Sequence, residues 1–217
     1  MRAVGPLLGG LAALSLSMYA IAKEAPVLTY GDQESLTTTM AIVRGELGSG
    51  FSFYGQKRLM AACMQGMTGF WFSLAAPEQR KAHAENCLGH ALSYAENTPL
   101  ESLTWTVAAR ASFVLGDHDG LNRYLGYARR SAPNEQWVAG LRVNLAEDAL
   151  AALSDINRLE HDQDLSLMVL SRKGISAIAG RYWANEGFRE RITAVVEKMP
   201  NEDQRRFVSS VRRAAHN

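Results

Sequence analysis

Two cysteines and two histidines stand where one helix could gather them. His83, Cys87 and His90 follow at i, i+4 and i+7, one face of a helix, and Cys63 precedes Cys87 by 24 residues. Thiolates and imidazoles are tetrahedral zinc ligands, although this spacing matches no compact zinc motif. The two cysteines can equally form a disulfide or stay as buried thiols, and the histidines read as surface or groove lining. Asp117-His118-Asp119-Gly120 carries chelating side chains. It lacks the ligand series and distal glutamate of a calcium loop, and reads as a turn whose Asp117 caps a helix. His161-Asp162-Gln163-Asp164 reads likewise as a solvated loop. The chain contains no G-x-x-x-x-G-K-[ST], G-x-S-x-G or H-E-x-x-H sequence. No catalytic centre, cofactor or resident metal is therefore expected.

The elements that would position these residues are helices. From Gly31 onward nearly every segment has helical rather than alternating periodicity, which makes the chain all-α. Asp32 or Ser35 caps a helix to about Arg44, ended by Gly45, Gly48 and Gly50. Further helices are expected over about 54–73, 77–96, 99–116, 118–131, 134–153, 165–184, 186–199 and 201–215. Lys173-Gly174 is a possible break, and the polar stretch 155–164 is expected to be a turn region. A hairpin turn near Leu74 to Ala76 would put Cys63 about 12 residues before it and Cys87 about 12 after it. Antiparallel partners at equal distance from a turn sit at similar height, so the pair can bridge if both face the seam.

A period runs through the middle of the chain. Trp71 and Trp105 are 34 residues apart, and so are Pro99 and Pro133. Trp105, Gly116, Ala128 and Pro133 stand at the spacings of one tetratricopeptide unit, covering about 102–135, and this stretch resembles that family. A degenerate unit before it keeps only Trp71 and Pro99 in register. Ser112 replaces the second aromatic of the motif, Leu121 replaces its alanine, and no third unit is clean after Trp137. The resemblance implies a right-handed array of antiparallel helical hairpins whose neighbours bury a continuous core. It also implies action by binding, with Trp105, Tyr124, Tyr127 and Trp137 as candidate groove anchors.

Glu101-Ser102 resembles the catalytic Glu-Ser of helical transglycosylases, but the glycine-rich segment that follows it in that family is missing here. Glu101 suits the first turn of a helix, where a carboxylate opposes the positive end of the dipole.

Composition limits the partners. The 217 residues carry 23 Lys plus Arg against 22 Asp plus Glu, a net charge of +1, which gives no general reason to bind nucleic acid. Arg205, Arg206, Arg212 and Arg213 make the end of the chain locally basic. At the start, Arg2 precedes an uncharged run, Ala3 to Ala22, ending in Ala20-Ile21-Ala22. Residues 1–22 are thus expected to be a signal peptide or a signal anchor. Residues 23–32 follow as a tether and 33–217 as the helical domain, outside the cytoplasm in a bacterial periplasm or at the inner membrane. The resulting expectation is an exported or membrane-anchored scaffold that binds a partner protein in cell-envelope assembly, with polysaccharide assembly or export as the favoured setting. The membrane would be met through residues 3–22 if they are retained. The alternatives are a structural single-pass subunit of a membrane complex and, at the margin, a glycan-active enzyme using Glu101.

Overall fold

The computed structural model describes residues 4–29, 35–48 and 50–215, the side chains of residues 4–7 and 27–29 excepted. Among them there is no strand; the chain is all-helical. It divides into two compact units, Met1–Thr98 and Pro99–Asn217.

The first unit holds α1 (Val4–Thr29), α2 (Leu36–Val43), α3 (Phe53–Thr68), the short α4 (Phe70–Leu74) and α5 (Pro77–Asn97). Ser35 caps α2 through Thr38 N, and Ser52 caps α3 through Gly55 N. A single helix was expected over 54–73, but it breaks at Gly69, whose extended backbone ends α3 and starts α4. α2, α3 and α5 pack around Ile42, Leu59, Met60, Met64, Met67, Ala84, Ala91 and Tyr94, with Asn86 Nδ2 donating to Ile42 O at the end of α2. Cys63 on α3 and Cys87 on α5 form a disulfide with Cα atoms 5.7 Å apart. The sulfurs are bonded to each other, so the zinc alternative has no thiolate to offer. His83 is fully buried rather than at the surface, because Gly66 on α3 leaves the room its ring fills.

α1 presents Leu8, Leu11, Leu14, Leu16, Met18 and Ile21 to solvent. Glu24 near its end accepts hydrogen bonds from the backbone of Phe51 and Ser52. Residues 1–3 of the expected leader lie outside the described residues. Among the described residues, no helix is long and apolar enough to cross a membrane.

The second unit contains α6 (Ser102–Val114), α7 (His118–Ser131), α8 (Gln136–Asp148), α9 (Asp155–Leu170), α10 (Gly174–Ala184), α11 (Glu186–Val196) and α12 (Asn201–Ala214), with a 3₁₀ turn over Leu150–Ala152. α6 pairs with α7 and α8 with α9, while α6 also meets α8 and α7 meets α9. α10, α11 and α12 close the far side around Phe188, Ile192, Val195 and Phe207. The predicted break at Lys173-Gly174 is present. The expected turn region over 155–164 is instead the first part of α9. Ser154 caps it through Asn157 N, and Asn157, His161 and Asp164 are buried in the unit while Asp155, Arg158 and Gln163 stay exposed.

One feature recurs in the backbone. α6 begins at Ser102 and α8 at Gln136, 34 positions later. The residue before each is a glutamate, Glu101 at φ −83°, ψ 102° and Glu135 at φ −81°, ψ 101°. The residues that end the preceding helices, Thr98 and Ala132, also match, at φ −135°, ψ 62° and φ −148°, ψ 74°.

Candidate functional site

Two surfaces of the second unit gather the sequence candidates, and a buried polar network holds the helices that carry them. The network starts from Arg142 on α8, which is 1% exposed. Its Nε and Nη2 donate to the two oxygens of Asp164 on α9, at 2.7 and 2.8 Å. Its Nη1 reaches Ala132 O at 3.3 Å and Ser102 Oγ at 3.4 Å. Ser102 Oγ in turn donates to Ala128 O at 2.7 Å. Arg129 of α7 adds a second cation to Asp164 at 2.8 Å and also donates to Pro133 O. One arginine thus binds α9, the first turn of α6 and the orphan carbonyls at the end of α7, groups that a helix end otherwise leaves to water. A planar guanidinium can satisfy so many partners because its five donors lie in a fixed fork.

A second cluster lies along the same two helices. Glu147 on α8 is 2.7 Å from His161 Nε2 on α9 and accepts from Arg191 of α11. Burial opposes its ionisation, but the hydrogen bonds from His161 and Arg191 outweigh that and lower its pKa to about 2. Glu160 beside Asp164 has the opposite fate, its carboxyl raised above the ordinary range by burial. Asp148 pairs with Arg110 of α6 at 2.8 Å.

His161 and Asp164 therefore correct the sequence reading of 161–164 as a solvated loop. Both are buried; Asp164 is ion-paired to Arg142 of α8, and His161 Nε2 shares a hydrogen bond with Glu147 of α8. The available signal was spacing. His161, Asp164, Leu165 and Met168 follow helical steps and share one face, so the polar letters belonged to an inward stripe.

The four candidate anchors separate into two places. Trp105 stacks on Tyr124 with ring centres 5.9 Å apart and meets Tyr127 edge-on at 4.9 Å. Arg123 lies over the Tyr124 ring and Arg130 over Tyr127, both at 4.9 Å. Trp105 Nε1 donates to Pro99 O at 2.7 Å, so Trp105 also fastens the turn before α6. This cluster is a half-covered aromatic layer with cations over its ring faces, and it stiffens the α6–α7 pair.

Trp137 belongs elsewhere. It is 46% exposed on the first turn of α8 and lines a cleft of about 680 Å³ with Gly140, Met168, Ser171, Arg172, Lys173 and Ala177. α8 supplies the aromatic wall, α9 the thioether floor, and the α9–α10 link the cationic edge. Such an aromatic, largely apolar cleft with a few charged groups is the usual form of a recognition site.

Arg205, Arg206, Arg212 and Arg213 are all exposed on α12, and Arg206 donates to Val169 O at the end of α9. Glu101 serves as the residue before α6, without a side-chain cap bond. His90 is half-buried, and among the described residues no group of three acidic, histidine or cysteine side chains converges on a metal position. No protein-family model matches the chain, and no curated protein or solved structure matches it significantly.

Proposed function

We propose that this chain is a docking module, a helical repeat of the tetratricopeptide kind that holds a segment of a partner protein and acts by binding rather than by turnover. The observation that carries this reading is the recurrence of one turn, with nearly the same backbone angles, before α6 and again 34 residues later before α8. Stacked hairpins in register leave an open face on which side chains of successive first helices meet a ligand. The cleft beside Trp137 offers a recess of about 680 Å³ in that unit.

An envelope location belongs to the same proposal. A buried disulfide suits an oxidising compartment, and the exposed leucines of α1 call for a cover. That second feature also favours a structural subunit held in a membrane complex through α1.

The test is photo-crosslinking in the native host, with benzoylphenylalanine placed at Trp137 and, as control, at the exposed Glu190. A discrete adduct from position 137 that is missing from position 190 is expected. Equal labelling, or none at either position, rejects the docking reading. If the adduct persists after residues 1–29 are deleted, the helical domain binds on its own, and the subunit alternative loses its basis.

A further inference from the structure

The cleft beside Trp137 has two chemically distinct halves, and together they specify a ligand. One half is apolar. The indole of Trp137, whose Nε1 donates to Glu135 outside the lining, forms a wall, and Met168, a flexible thioether, forms the floor. Gly140 lies against that floor; a Cβ there would sit 3.4 Å from Met168 Cε, in ordinary contact with it. The other half is cationic. Arg172 and Lys173 are both exposed on its rim, and neither takes part in an ion pair among the described residues. α10 begins at Gly174 on the same rim, so the positive end of its backbone dipole adds to theirs. The link between α9 and α10 is held tightly. Gly174 N donates to Ser171 Oγ at 3.0 Å, and a Cβ on Gly174 would lie 2.7 Å from Met168 O. The cations are therefore presented from a fixed turn, not from a loose loop.

We infer that the cleft takes a short acidic peptide segment of a partner protein, with a bulky apolar side chain against Trp137 and Met168 and a carboxylate within reach of Arg172 and Lys173. This rests on the docking reading above and gives its ligand a chemistry. Charge complementarity is the argument. Two cations without acidic partners, next to an apolar recess, match a ligand that carries the opposite charge beside an apolar group. The shape favours a peptide over an acyl chain. The recess is open to solvent on one side, which leaves part of an alkyl chain wet, whereas an extended peptide needs only its anchoring side chain buried.

The experiment is selection of random hexapeptides on beads against the folded full-length protein. Counter-selection uses Trp137→Ala and the double variant Arg172→Glu/Lys173→Glu, each first matched to the parent in circular dichroism and melting. Enriched peptides are expected to place Asp or Glu within three positions of Phe, Leu, Met or Trp. Resynthesised, they should bind the double variant at least tenfold more weakly and lose affinity as salt rises. Enrichment of apolar peptides without an acid overturns this inference and leaves the docking reading standing. No enrichment beyond that on Trp137→Ala overturns both. Binding to phosphatidylglycerol vesicles but to no peptide overturns the peptide assignment.

Discussion

Residues 1–98 and 99–217 hold their helices together by different chemistry. The first unit ties α3 to α5 with a covalent bond and buries a histidine without charge. The second has no disulfide and instead buries a string of ion pairs between α8 and α9. The difference teaches where each unit's specificity comes from. A disulfide restricts the unfolded chain and says little about side-chain packing. A buried ion pair fixes one register of two helices, because any slip leaves a charge without a partner in a medium that cannot solvate it.

The largest effect is therefore expected at Asp164. Its carboxylate answers both Arg142 and Arg129, so Asp164→Ala strands a guanidinium that is almost wholly buried. Loss of one partner of a buried pair costs about 3–5 kcal/mol. Urea denaturation, followed by hydrogen exchange in α6–α9, should show that loss in the second unit alone. A loss under 1 kcal/mol would mean that water reaches Arg142 and that the pair is not what sets the register.

Next comes the staple. The disulfide closes a loop of 24 residues, worth about 3 kcal/mol in the chain-entropy account. Cys63→Ala/Cys87→Ala should cost that much in the first unit and leave exchange in the second unchanged. Equal loosening of both units would break the comparison.

Acid separates the units by pH window. Burial lowers the pKa of His83 from 6.5 to about 4, against the opposing pull of the Cys63 and Thr39 backbone. The unfolded chain therefore binds the proton more readily than the folded one. His83's contribution is present above pH 6.5 and is lost as pH falls from 6.5 to 4, by up to about 3 kcal/mol. Glu147 is depressed to about 2. Its contribution, of similar size, is full above pH 4.5 and is lost as pH falls from 4.5 toward 2. The first unit should open first on acidification, read by exchange in α3 and α5 before any change in α8 and α9. His83→Gln should remove most of the dependence between pH 6.5 and 4, leaving the smaller part from His90, whose pKa burial also lowers, and should leave the lower window intact. If both units open together near pH 3, the buried histidine is not the sensor.

Helix identity and most boundaries were legible in the sequence because caps and breakers are local signals. Ser35, Pro77, Asp117, Gly116 and Pro200 mark ends that a reader can place without tertiary knowledge. The Cys63–Cys87 bond was legible only as one of three readings, since equal distance from one turn allows a bridge but does not show that both residues face the seam. The polar network was not. His161-Asp162-Gln163-Asp164 looks like a loop because polar letters are counted as exposed unless their partners are known. Arg142 and Glu147 are those partners, 14 to 22 residues away, on a helix whose facing side only the fold decides. The binding surface was half legible. Trp137 was picked out as an anchor but grouped with Trp105, Tyr124 and Tyr127. The cations that give its cleft a chemistry, Arg172 and Lys173, sit at a break that was read only as an interruption.

The smallest effect tests whether the contrast ends at the cores. α2 and α6 finish in the same way. Gly45 has φ +68° with Gly45 N bonded to Ile42 O and Glu46 N to Ala41 O; Gly116 has φ +76° with Gly116 N bonded to Phe113 O and Asp117 N to Ser112 O. This six-to-one and five-to-two pairing is the Schellman ending, which places a left-handed residue after the helix. A Cβ at Gly116 would meet nothing within 4 Å, and one at Gly45 only Asn86 Nδ2 at 3.8 Å. Steric crowding is therefore absent at both sites, and only the backbone conformation resists a side chain. Gly45→Ala and Gly116→Ala should each cost about 1 kcal/mol, the penalty of left-handed backbone for an L-residue. The two losses should agree within about 0.5 kcal/mol in urea melts of the respective units. Agreement would show that local rules act alike in both and that only the means of holding the core differs. A much larger loss at Gly116 would mean that its turn is coupled to the network through Ser112 and α6, and that the charged unit tolerates less displacement of its helices than the stapled one.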